Sequence, residues 1–169
     1  MFVDESGFYL LPAVVKTYAP VGETPVLSVP LTRDHLSAIS GITEDGKLLI
    51  QVKDHSIKGV DCVEFLKHLL RHLPGKLMVI WDGGQIHRCQ AVKDFLKTEQ
   101  GQRIWLEPLP AYAPDLNPDE GIWRYTKRVE LKNVCCHDLD ELHEELIKAI
   151  ARLRHKKHVI KACFQHAGL

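Results

Sequence analysis

The sequence has no charge to spare. Lys and Arg together number 22, and so do Asp and Glu, so the chain lacks the basic excess of an autonomous duplex-binding module. Any affinity for nucleic acid must come from a local patch, a bound metal or a part beyond this chain. No apolar run approaches the ~20 residues needed to cross a bilayer, and the first residues lack the basic-then-apolar layout of a signal peptide. A cytosolic protein is expected. The five cysteines are an odd number that includes the adjacent Cys135 and Cys136, which is no disulfide framework. They read as reduced thiols. There is no P-loop, no glycine fingerprint for a dinucleotide, no Gly-x-Ser-x-Gly and no Cys-His nucleophile pattern. Repeats, linkers and low-complexity segments are also missing, and 169 residues with 45% hydrophobic and 26% charged side chains suit one domain spanning 1–169.

What is present alternates. The stretch MFVDE looks like the end of a strand, short because the chain begins inside it. HLSAISGITEDGKLLIQV reads as two strands joined by a turn at Glu44, Asp45, Gly46 and Lys47, since Asp-Gly is a strong hairpin signal. In VDCVEFLKHLLRHLPG the apolar residues Val60, Val63, Phe65, Leu66, Leu69, Leu70 and Leu73 recur at helical spacing and stop at Pro74-Gly75. KLMVIW is a continuous apolar run, as in a strand buried on both faces, and it ends at Asp82. CQAVKDFLKTE then reads as a short helix and RIWLEPL as a strand. From Asn117 onward the pattern is helical, near 118–130, near 138–154 with Asp138 as N-cap and Glu141 three residues on, and near 157–165. This order is that of an α/β domain, with a partly parallel sheet and helices on its faces.

Three carboxylates fall at telling places. Asp4 lies in or just after the first strand, Asp82 at the carboxyl end of the apolar strand, and Glu120 at the start of the helix that follows the last strand. Ligands in open α/β sheets gather beyond the carboxyl ends of strands. Like charges brought together there repel strongly, and a divalent cation resolves the conflict. Mg²⁺ takes oxygen ligands and commonly uses a few carboxylates together with phosphate oxygens, as in two-metal phosphodiester sites.

The stretches FVDESGF, VIWDGGQIHR and LPAYAPDLNPDEGIW resemble the three signatures of DDE transposases in the bacterial insertion-sequence branch of the mariner superfamily. The likeness extends through the HAGL terminus, and three ordered motifs are far more specific than one. It implies a ribonuclease H-like fold, a mixed five-stranded sheet flanked by helices. It also implies a catalytic, metal-binding triad of Asp4, Asp82 and Glu120 holding two Mg²⁺ ions, for which Mn²⁺ can substitute. The loop stiffened by Pro110, Pro114 and Pro118 then fixes where Glu120 enters the site. In the family's Asn-Pro-x-Glu pattern the glutamate is the ligand, so Glu120 is chosen over Asp119, and Asp115 is an exposed loop residue. The position after Asp82 is often Asn in the family and is Gly83 here, which removes a possible hydrogen-bonding side chain.

Other residues keep two readings. His87 and Arg88 either line the site and touch phosphate, or His87 caps the next helix. Trp123 fits a core position better than a base-stacking one. Arg152, Arg154, His155, Lys156, Lys157, His158 and Lys161 form the one basic cluster, which suits a solvated helix face and phosphate contact equally. His68 and His72, four apart on one helix, suit a surface or interface role. A zinc site from Cys135, Cys136, His137, Cys163 and His166 is disfavoured, because adjacent cysteines do not match structural zinc spacing.

The resemblance therefore implies metal-dependent DNA cleavage and strand transfer during transposition of an insertion sequence, by a bacterial cytoplasmic protein that joins the nucleoid when bound to DNA. DNA, covering the element ends and the target, is the expected partner, with a possible homodimer. Family members usually carry an N-terminal helix-turn-helix region, and none is recognisable here, so a separate or upstream segment is expected to supply specificity. The alternative is an inactive remnant that binds DNA or dimerises without cutting, supported by the short first strand and by Gly83. A resolvase or ribonuclease of the same fold is disfavoured by the Leu-Asn-Pro-x-Glu loop and its tryptophan.

Overall fold

A computed structural model describes residues 1–28, 32–110 and 113–169. Five strands, β1 (Phe2–Tyr9), β2 (His35–Ile42), β3 (Leu48–Lys53), β4 (Leu77–Trp81) and β5 (Ile104–Pro108), form one sheet in the order β3-β2-β1-β4-β5. The first three are an antiparallel meander, and β4 and β5 join it in parallel. The hairpin between β2 and β3 closes at 43–47, where Gly46 takes φ 86° and its N–H bonds to Thr43 O at 2.9 Å. That left-handed conformation is open to glycine without a Cβ clash.

Helices cover both faces. On one, α1 (Gly59–His72) and α2 (Gln90–Leu96) press Cys62, Phe65, Leu66, Leu69, Val92 and Phe95 against Val3, Ile39, Val79 and Trp81. On the other, α3 (Asp119–Tyr125), α4 (Leu139–Arg154) and α5 (Lys157–His166) pack Trp123, Leu146, Ile150, Leu153, Ile160 and Phe164 against Phe8, Leu36, Ala38, Ile42 and Ile50. Strand alternation explains the division, since successive side chains point to opposite faces. Along β1, Phe2 and Phe8 meet the α3 face while Val3 meets the α1 face. Fully burying each such side chain stabilises the fold by roughly 1.5–3 kcal/mol.

The capping of α4 follows its sequence signal. The Asp138 carboxylate accepts the Glu141 N–H at 2.8 Å, and Glu141 reaches back to the His137 N–H at 2.8 Å. Three readings are corrected. β1 does not stop near Asp4 but runs eight residues to Tyr9, paired with β2 along its whole length. β4 is not buried on both faces, because α3–α5 cover only β1–β3 and leave Met78 and its register partner Trp105 more than half exposed. The helix expected near 118–130 is divided, with α3 giving way to a π-helical turn at Thr126–Glu130.

Candidate active site

Register brings the first two carboxylates level. Among the described residues β1 and β4 pair at Phe2 and Ile80, so two residues further along the parallel strands come Asp4 and Asp82, one on each, where the strands part. The third arrives on α3. Asn117 sets the entry of that helix, its side chain accepting the Asp119 N–H at 3.2 Å and its carbonyl the Glu120 N–H at 3.1 Å. Helical rotation then separates neighbours, burying Asp119 completely and leaving Glu120 exposed. Asp4, Asp82 and Glu120 together line one open cavity of about 400 Å³, with Gly83, Gly84 and Pro110 in its wall.

Each carboxylate is held differently. Asp4 Oδ2 accepts the Trp123 indole N–H at 3.1 Å, so Trp123 is a core residue, as expected, and also orients a site carboxylate. Burial, then the carboxylates of Glu120, Glu5 and Asp82, push the Asp4 carboxyl up to about 7. Asp82 is more exposed, and its Oδ1 accepts the Gly84 N–H at 2.8 Å. A Cβ at Gly84 would come within 2.9 Å of that oxygen, whereas one at Gly83 meets open space. A side chain at Gly84 would thus displace the Asp82 carboxylate from its present position, and the departure at Gly83 is not imposed by crowding.

A DDE superfamily endonuclease profile matches residues 1–143. The chain belongs to that family. Its ribonuclease H-like fold matches Mos1 mariner transposase structures. One is the strand transfer complex, at 19% identity and TM-score 0.65 over 99% of this chain and 54% of that one. Another is a paired end complex with Mg, at 16% identity and TM-score 0.72 over 99% and 52%. A third is the catalytic domain alone, at 16% identity and TM-score 0.60 over 99% and 81%. This chain spans about half the length of the Mos1 chains in those complexes. No curated protein sequence matches it.

The DDE domain carries site neighbours that sequence reasoning missed. Asp119 takes a hydrogen bond from Ser40 Oγ at 2.8 Å while its Oδ1 is without a partner. Burial, reinforced by Asp4, holds its carboxyl well above the usual carboxylate range. Lys127 donates to Ser6 Oγ at 2.7 Å and lies 5.2 Å above the Phe8 ring. Burial lowers its pKa against the opposing pull of Glu120 and Asp4, so it lies within electrostatic reach of both carboxylates. A signal existed, since Glu120, Trp123 and Lys127 are spaced i, i+3, i+7 and share a helix face.

His87 neither caps α2 nor offers a face to phosphate. Its side chain is 2% exposed, stacked on Trp81 at 4.1 Å and 7°, with Nδ1 at 2.8 Å from Asp82 Oδ1 and Nε2 at 2.8 Å from Glu5 Oε1. Burial opposes its charge, but hydrogen bonds to Cys62 and Glu5 prevail and raise the imidazolium to about 11. Arg88 is exposed. Of the basic cluster, Arg152 and Lys156 pair with Glu130, each 2.7 Å from one of its oxygens, and Arg152, Arg154 and Lys157 are all exposed. Arg152 and Lys156 thus share their charge with Glu130, and Arg152 does so from the solvated face of α4. His68 is half-buried, its ring 4.3 Å from that of His72, rather than lying at the surface.

Proposed function

We propose that this domain is the catalytic part of an insertion-sequence transposase that cuts DNA strands and joins the freed 3′ ends to target DNA, with two Mg²⁺ ions held by Asp4, Asp82 and Glu120. One observation carries the reading. Three carboxylates from β1, the end of β4 and the start of α3 line a single cavity, and the Asp4 carboxyl is pushed to about 7 by burial and by its acidic neighbours. An all-oxygen donor set with uncompensated negative charge fits a hard divalent cation. Mos1 complexes with Mg and with Mn support the choice of metal.

Bound cations would supply Lewis-acid activation of water and then of the freed 3′-hydroxyl, and neutralise charge on the phosphodiester. The residues of the chain do the positioning. Trp123 fixes one oxygen of Asp4, Gly84 fixes one of Asp82, and Asn117 fixes the turn from which Glu120 emerges. The Lys127 amine lies within electrostatic reach of Glu120 and Asp4, whose charges favour its ammonium form against burial. Asp119 fills the space behind them, where burial disfavours its charged form. DNA is the partner, contacted through Arg88, Arg154 and Lys157. An upstream helix-turn-helix segment and pairing of two copies complete the recognition of element ends, in the bacterial cytoplasm. Mos1 paired-end and strand transfer complexes support DNA as the partner.

The test is nicking of supercoiled DNA. Wild-type protein nicks with Mg²⁺ or Mn²⁺ and is silent in chelator, and Asp82→Asn and Glu120→Gln abolish the activity. Metal-independent nicking, full activity in either variant, or DNA binding with no cleavage under any metal sinks the reading, the last in favour of a non-catalytic remnant.

A further inference from the structure

On the opposite face of β1 from Asp4, a second donor cluster of different chemistry lies under α1. Glu5, Cys62 and His87 each offer one ligand atom, and these atoms lie within 4.8 Å of one another. Cys62 is fully buried and His87 nearly so, while the Glu5 side chain is 18% exposed. The three come from β1, α1 and the turn after β4, and the chemistry assigned to the carboxylate cavity makes no use of the thiol.

We propose that Glu5, Cys62 and His87 form a binding site for a borderline-soft divalent cation of the zinc class, separate from the Asp4, Asp82 and Glu120 cavity. The donor set is one sulfur, one nitrogen and one carboxylate oxygen. Mg²⁺ is a poor match for it and Zn²⁺ a good one. Tetrahedral zinc separates such donors by roughly 3.3–3.6 Å, from bond lengths of about 2.0–2.3 Å, so capture needs movements of about an ångström. The surroundings of the imidazole are those a ligating histidine uses. Metal-bound histidines give their second ring N–H to a carboxylate or a backbone carbonyl, which fixes the tautomer. Here Nδ1 faces both, 3.0 Å from the Asp82 carbonyl oxygen and 2.8 Å from its Oδ1. A carbonyl can only accept, so Nδ1 carries a proton and Nε2 is the nitrogen turned toward Glu5. The Trp81 stack fixes the ring plane.

Entry and coordination are also provided for. A cavity of about 220 Å³ opens at Glu5 between Ile57, Ser56 and Ile86, leaving a path for the ion and room for water as the fourth ligand. Binding replaces the Nε2 proton and the Cys62 thiol proton, both released to solvent. The cation also reaches the carboxylate cavity indirectly, since Glu5 adjoins Asp4 in β1 and His87 holds Asp82.

Co²⁺ is the probe, because thiolate ligation gives a cobalt charge-transfer absorbance that carboxylate sites do not. Anaerobic titration of the purified chain is expected to raise that band to one equivalent, with Zn²⁺ displacing Co²⁺ and Mg²⁺ failing to. Cys62→Ser abolishes the band. Glu5→Gln, which keeps the shape at a partly exposed position, weakens Co²⁺ by about tenfold or more and decides the matter if Cys62→Ser does not fold. Glu120→Gln and Cys135→Ser leave the band intact. Absence of the band, its survival in Cys62→Ser, an unchanged affinity in Glu5→Gln, or its loss in Glu120→Gln overturns the proposal.

Discussion

Asp4 and Glu130 are both partly sheltered carboxylates near α3, with opposite electrostatic fates. Glu130 receives Arg152 and Lys156 at 2.7 Å each, and although burial works against its charge, these two cations hold its carboxyl below the usual range. Asp4 has a buried setting and three acidic neighbours, and its carboxyl is pushed up to about 7. Folding completes the charge balance of one region and leaves the other to be completed from outside. A carboxylate whose partners are built in contributes structure, and one whose partners are withheld is poised to take a cation.

The contrast breaks most sharply under mutation of the ligands. Asp82→Asn and Glu120→Gln are expected to lower metal-dependent nicking on the order of a thousandfold, the equivalent of several kcal/mol of transition-state stabilisation, with the circular dichroism spectrum unchanged. Unfolding of these variants would show that the region is structural, like that of Glu130.

Next is the response to metal. Mg²⁺ or Mn²⁺ at a hundredfold excess over Kd stabilises by about 2.7 kcal/mol, read as a rise in Tm. The pH dependence has a defined sign. Because the folded pKa of Asp4 is raised above its ordinary 3.8 to about 7, its contribution to metal-free stability is fully present below pH 3.8 and is lost as pH rises through 7. Cation and proton compete for the same oxygens, so the rise in Tm on adding metal is larger at pH 8 than at pH 6. Asp4→Asn removes both effects. An equal rise at the two pH values would remove Asp4 from the ligand set.

Glu130→Gln is expected to destabilise by about 1–2 kcal/mol, below the cost of breaking a fully buried pair because Arg152 and Lys156 are partly screened by water. Its pH sign is opposite. The lowered folded pKa of Glu130 gives stability present above its ordinary value of 4.5 and lost as pH falls through the lowered one. Urea denaturation with metal absent and present checks that the response to Mg²⁺ survives. The smallest effect is expected at Lys157→Ala. DNA affinity falls about uniformly across sequences, and the salt slope drops by about one for each phosphate no longer neutralised, whereas Lys156→Ala, already paired with Glu130, changes stability more than the slope.

The order of elements along the chain, and the places of Asp82 and Glu120 on it, were legible because each signal is local. An apolar run ends at Asp82, Asp-Gly marks the hairpin, and the proline-rich loop precedes Glu120. The pairing of Arg152 and Lys156 with Glu130 was not legible, because Glu130 lies 22 and 26 residues away from them, beyond any helical spacing. The contact of His87 with Glu5 spans 82 residues and depends on the parallel placement of β1 beside β4, which no local pattern encodes. The indole bond to Asp4 crosses 119 residues. Lys127 was within reach, because its spacing from Glu120 and Trp123 is helical. A lone lysine in a helix usually faces solvent, so the spacing alone does not single it out.

The π-helical turn at Thr126–Glu130, closed by the Leu131 N–H to Thr126 O at 2.9 Å, adds the equivalent of one inserted residue to the helix begun by α3. An α-helix turns about 100° per residue, so the insertion lets the Glu120 face stay on the sheet while Glu130 swings round to α4 and α5. Relatives with an unbroken helix here should align with this chain only through a one-residue gap inside 126–130, and deleting one residue there should keep Glu120 in place while tearing Glu130 from Arg152 and Lys156. Divergence on either side of that turn can then proceed in separate registers, each constrained by a different set of neighbours.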